Sequence, residues 1–185
     1  GTVDTGEVVG NEGEKVAALR RGRGWGEDET VFLYSGNMGL GHRFGEFLDV
    51  GSRQSGGGRG EDAGRGASHG LMTDDCELKT PPTRLVFSGR GKRRIEIEEF
   101  LAARTADFDG AVPVELMDYV PAEELTYHLL SGDVHLASLE PSWDGTMVPS
   151  KLQGSFAVGR PVLFVGSRTC SIGKWIIESG GGGVV

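Results

Sequence analysis

The chain has 185 residues, 37% of them hydrophobic and 8% aromatic, enough to bury one sizeable core, and its length favours a single domain. A formal charge of −8 and a pI near 5.0 exclude a protein that grips nucleic acid by neutralising phosphates, because that requires a basic face. No run reaches the apolar length of a membrane span, no charged-then-apolar leader opens the chain, and Cys76 and Cys170 stand far apart in unlike contexts, so the sequence predicts a cytoplasmic protein without a disulfide framework.

Residues 1–29 read as a connecting segment and 30–185 as one Rossmann-like domain. The first strand is "TVFLYSG", residues 30–36, a β-branched and aromatic run closed by glycine; "HRFGEFLDV" follows with Phe44, Phe47 and Leu48 at the spacing of one helix face. Residues 51–83 hold much of an unusual glycine content, 32 in the chain, and have no apolar period, which predicts a flexible insert. "RLVFSG" and then "KRRIEIEEFLAAR" repeat the strand–helix pair. "VPVELM" predicts a third strand, followed by a helix opened by Pro121 with Glu123 and Glu124. "DVHLASL", residues 133–139, predicts a fourth strand, and "VPSKLQGSFA" a helix that the Ser150 hydroxyl caps. "PVLFVG" predicts a fifth strand, "SIGKWIIESG" a helix with a glycine stop, and "GVV" the start of a sixth strand that looks truncated. Strands alternating with single helices require right-handed crossovers, hence an α/β fold: a doubly wound parallel sheet with helices on both faces.

Ligands of such sheets bind beyond the carboxyl ends of the strands, so the loops after strands carry the chemistry. In "YSGNMGLGH", Gly36, Gly39 and Gly41 let backbone approach a phosphate, although the order is GxxGxG and no acid closes the second strand, which departs from a dinucleotide fingerprint. "FSGRGKRR" gathers Arg90, Lys92, Arg93 and Arg94, either a phosphate contact or a solvated helix start. The third loop, "LEPSWDGTMVPSK", brings Lys151 to a helix start, where the helix dipole disfavours a cation unless an anionic ligand accompanies it. His42, His69, His128 and His135 are scattered and no Asp-x-Asp stands at a strand end, so no metal and no cofactor are expected; His135 reads as a satisfied core residue.

The order of "FLYSGNMGLGHRFGEFLDV", "RLVFSGRGKRRIEIEEF", "VELMDYVPAEELTYHLLSGDVHLASLEPSWDGTMVPSKLQGSFAVGRPVLFVG" and "IIESGGGGVV" resembles the carboxyl-terminal domain of family 4 glycosyltransferases of the GT-B fold. The "VPSKL…GRPV" segment is most similar to the branch that builds bacterial surface polysaccharides. The resemblance implies the donor-binding half of a retaining enzyme that moves a sugar from a UDP- or GDP-sugar to a polysaccharide or lipid-linked acceptor. A separate N-terminal acceptor domain in a longer parent, peripheral to the inner face of the membrane, is implied as well. By position, Gly36, Asn37 and Gly39 would lie under the diphosphate with Arg90 nearby, and Tyr119 and Val120 would border the base. Gly145, Thr146 and Met147 would wrap the donor, Ser150 and Leu152 would sit at the helix start, and Asp144 and Lys151 would be the catalytic pair.

Departures from the family pattern are specific. Asn37 and His42 stand where many members carry an arginine and a lysine, Asp144 replaces a glutamate, and a second glutamate falls near Gly154. The diphosphate charge must then be met from elsewhere, which gives weight to Lys151 and Arg90. The alternative is a Rossmann-like module without catalysis, binding a nucleotide or pairing with another subunit, and the exposed edge of "GVV" invites a dimer.

Overall fold

The computed structural model describes residues 5–52, 81–104, 111–146 and 151–185, with side chains described from residue 12 and up to residue 50 within the first of these spans. Helix α1 (Thr5–Gly22) precedes β1 (Thr30–Ser35), α2 (Gly45–Ser52), β2 (Thr83–Ser88), α3 (Arg94–Ala103) and β3 (Val114–Met117). A 3₁₀ turn at Ala122–Glu124 then leads into α4 (Leu125–Leu130), β4 (Val134–Ser138), a second 3₁₀ turn at Pro141–Trp143, α5 (Lys151–Ala157), β5 (Val162–Val165), α6 (Ser171–Ser179) and β6 (Gly182–Val184). All pairings are parallel, in the order β3-β2-β1-β4-β5-β6. The expected doubly wound Rossmann-like sheet is present. Its strand order reverses between β1 and β4, and in sheets of this kind the binding crevice lies beyond the carboxyl ends of the two strands at that point.

Alternation along β1 divides the core. Tyr34 joins Phe44 and Phe47 of the α2 segment, Leu85 and Phe87 of β2, Ile97 of α3 and Leu136 of β4 on one face. Val31 and Leu33 point the other way, to Val86 and Trp25. Beside that second group, Leu152 of α5, Phe164 of β5 and Ile172 and Ile176 of α6 close the core around β4, β5 and β6. The rings of Tyr34 and Phe44 meet edge to face at 4.9 Å, and those of Phe44 and Phe87 at 5.9 Å. Each such pair contributes about 0.5–1.5 kcal/mol beyond area burial. β1 therefore ends in a fixed aromatic floor under the crevice.

The segment before β1 contains a helix that the sequence did not announce. α1 is interrupted by Gly6, Gly10 and Gly13 and presents no broad apolar stripe; it packs on α4 largely through polar groups. Arg20 donates two hydrogen bonds to the Asp133 carboxylate, at 3.1 and 3.2 Å, and Arg23 donates to His128 Nδ1 at 3.0 Å. Of the insert expected at 51–83, Gly51 and Ser52 finish α2 and Thr83 opens β2, while residues 53–80 lie outside the described residues. His135 is a satisfied core histidine, as expected: it is buried, with Nε2 at 3.0 Å from the Leu129 carbonyl.

Candidate functional site

Three loops meet at the switch point, and backbone groups tie them together. The Gly36 N–H donates to Ser88 O at 2.9 Å, Met38 N–H to Arg90 O at 2.8 Å, and Arg93 N–H back to Met38 O at 2.9 Å. Glycine is required where these loops cross. A Cβ on Gly89, at φ 138°, would stand 2.0 Å from Gly36 O, and one on Gly91, at φ 149°, would stand 2.3 Å from Met38 O. The loop after β4 is fastened as well, since Glu140 N–H donates to Gly41 O and Arg43 N–H to Ser138 Oγ, both at 2.9 Å. The phosphate cradle imagined for the first glycine loop is thus partly filled: the N–H groups of Gly36 and Met38 are already used by the second loop.

The charge of the crevice comes from α5. Lys151, at the first position of that helix, sends its side chain back over β1 instead of into water. Nζ lies 3.9 Å above the centroid of the Tyr34 ring and within hydrogen-bonding reach of Tyr34 Oη, and it is 3.2 Å from His42 Nε2. Its Cε would lie 3.4 Å from a Cβ on Gly36, an ordinary van der Waals distance, so the lysine packs against that glycine. Burial pushes the Lys151 ammonium down to about 7.

The two partners are held by groups that fix their roles. His42 is buried, and Nδ1 lies 2.8 Å from the Ser138 carbonyl, an acceptor only; Nδ1 therefore carries the proton and Nε2 accepts from Lys151. Burial above all, then the neighbouring Lys151, lowers the His42 imidazolium to about 4, and the ring is neutral. Tyr34 donates its hydroxyl proton to Asn37 O at 2.7 Å, leaving the oxygen to accept from Lys151; burial first, and Tyr119 second, push its pKa up, so it stays a phenol. Tyr34 and His42 were not singled out from the sequence as site residues. Tyr34 looks like an ordinary strand aromatic there, although its place at the end of β1 is the signal that finds it.

The remaining expected residues are distributed unevenly. Gly36 and Lys151 are brought together. Asn37 is exposed at the crevice rim, and its side-chain Nδ2 would meet a Cβ on Gly39 at 3.3 Å. Tyr119 is half exposed and packs on Gly89, with its hydroxyl 3.5 Å from Arg90 O, and Val120 beside it is partly buried. Arg90 does not reach the crevice as a free cation: it is exposed and paired with Asp118 at 2.6 Å. Arg93 is likewise bound to Glu96 and Glu140, and Arg94 to Glu98 and Asp118. Asp144, Gly145 and Thr146 form an exposed turn with Gly145 at φ 75°, and the Asp144 N–H donates to Pro141 O. The Leu152 side chain is buried in the core, leaving only its backbone for the site. Met147 and Ser150 lie outside the described residues, and so does the expected Ser150 cap.

No protein-family model and no curated protein matches the chain. Among solved structures, it is similar to WaaG, a glycosyltransferase involved in lipopolysaccharide biosynthesis, at 15% identity and a TM-score of 0.56 over 92% of this chain. A structure concerning EarP-mediated arginine glycosylation of translation elongation factor EF-P aligns with 89% of the chain at 15% identity and a TM-score of 0.47. The chain spans 37% of the first of these proteins and 46% of the second. No helix among the described residues is long and apolar enough to cross a membrane. The likeness to WaaG is one of fold: this parallel Rossmann-like sheet is built as part of that glycosyltransferase is built.

Proposed function

We propose that the chain is the nucleotide-sugar-binding domain of a retaining, family 4-like hexosyltransferase of the GT-B type. On this reading the donor is a UDP- or GDP-sugar, and the acceptor, a polysaccharide or lipid-linked glycan, is held by a separate domain of a longer protein. One observation carries the reading. The family's loop cations are replaced by Asn37 and His42, and the structure has a different lysine, Lys151, arriving from α5 beside Gly36 and His42. The fold shared with WaaG supports the same direction.

Chemically, a departing nucleoside diphosphate builds negative charge on its bridging oxygen, and a cation already in place stabilises that charge without reorganisation. Lys151 is the group so placed. On this reading the half-exposed ring of Tyr119 would border the base, and the exposed Asp144 to Thr146 turn would wrap the sugar. β6 pairs only with β5 among the described strands, and its outer edge is the surface by which two copies would join; light scattering across a concentration series checks this.

Calorimetry with UDP and GDP at fixed salt tests the donor site. Lys151→Ala removes one charge-assisted contact and should weaken binding by roughly 1.5–3 kcal/mol. If neither nucleotide binds the wild-type chain at millimolar concentration, the donor reading fails, and a non-catalytic pairing module becomes the better account.

A further inference from the structure

Lys151 has an unusual set of neighbours for a cation. Its amine faces Tyr34 from β1 and His42 from the loop after β1. Arg93, ahead of α3, disfavours protonation of His42 and is itself bound to Glu96 and Glu140; Tyr119, after β3, acts on Tyr34. Among the described residues no carboxylate pairs with Nζ. Both of its direct partners are neutral acceptors whose own protons are committed, the hydroxyl to Asn37 O and the imidazole N–H to Ser138 O.

Two acceptors use two hydrogens, and a neutral amine has two. The third position on nitrogen is then a lone pair in the amine and an N–H in the ammonium, so the two hydrogen bonds keep the same partners in either state and are stronger in the ammonium. The cluster is built to hold the nitrogen still while its charge changes. We propose, resting on the donor-site reading above, that the crevice takes up its anion together with a proton: Lys151 gains a proton when a diphosphate is bound, with Tyr34 and His42 as its positioning residues. The counter-ion that the protein does not supply is the ligand itself, and burial, which disfavours a lone ammonium, favours an ion pair once both charges are present.

The test is calorimetry of UDP binding to the whole chain at about pH 8, in two buffers of different protonation enthalpy. The difference in apparent enthalpy reads the number of protons taken up. With the empty-site lysine at about 7, wild type should take up roughly 0.9 proton, and affinity should fall about tenfold per pH unit above about 7. Lys151→Arg, charged at all these pH values, should bind with no uptake and a flat profile, and Lys151→Met should bind weakly with none. His42→Phe keeps a ring against Tyr34 but removes the acceptor, so the pH at which affinity declines should move lower; a purely structural histidine would leave that midpoint in place. UDP binding by wild type with no uptake and a flat profile overturns the inference and leaves the donor site standing. Absence of UDP binding at millimolar concentration overturns both.

Discussion

Replacing Lys151 by methionine should stabilise the chain at low pH and lose that advantage as pH rises. The folded chain holds this ammonium at about 7 against an ordinary 10.5. Below about pH 7 both states carry the proton, and the folded state bears the whole cost of burying it. Between about 7 and 10.5 only the unfolded chain is protonated, so wild-type stability rises with pH, and above that range the cost is gone. At about 1.4 kcal/mol per pH unit the gap sets an upper bound near 5 kcal/mol. Against this, methionine leaves His42 Nε2 without its donor, a loss of about 1 kcal/mol. Lys151→Met should therefore be more stable than wild type by up to about 4 kcal/mol near pH 6.5, and that advantage should have all but vanished near pH 10. Urea unfolding of both proteins at the two pH values measures the difference directly, with all other titrations common to the pair. A difference that stays constant with pH, whatever its size, would refute the argument that Lys151 is a desolvated cation.

Gly89→Ala should be severe, because a Cβ there meets Gly36 O at 2.0 Å and the backbone sits at φ 138°; a loss of more than about 2 kcal/mol in denaturant melts, with UDP binding abolished, is expected. Arg90→Ala should leave UDP affinity within about threefold of wild type by calorimetry, since its guanidinium is in solvent and occupied by Asp118. Weakening of tenfold or more would return Arg90 to the diphosphate site.

The strands were legible because each is a β-branched or aromatic run stopped by glycine or proline, and their alternation with short amphipathic segments leaves one topology open. α1 was not legible. Its glycines argue against a helix, and what holds it, Asp133, His128 and Tyr127, lies more than a hundred residues away in sequence. The same reason divides the site. Lys151 stood out because a cation at a helix start needs explaining, whereas its partners Tyr34 and His42 are 117 and 109 residues distant and carry no local mark. Conversely "FSGRGKRR" looked like a basic patch in part because two of the carboxylates that pair with it, Asp118 and Glu140, come from other loops.

The backbone latch between the first two loops has a thermodynamic consequence for recognition. Gly36, Met38, Ser88, Arg90 and Arg93 are joined by main-chain bonds that exist before any ligand arrives, and Gly89 and Gly91 allow no wider or looser crossing. That wall of the crevice loses little conformational entropy on binding, so affinity gained there is gained almost in full. It also cannot reshape itself around ligands of different size. On the donor-site reading, selectivity among diphosphates that fit the wall equally would arise outside it, at the exposed turn from Asp144 to Thr146, and substitutions there should exchange one donor for another without disturbing the fold.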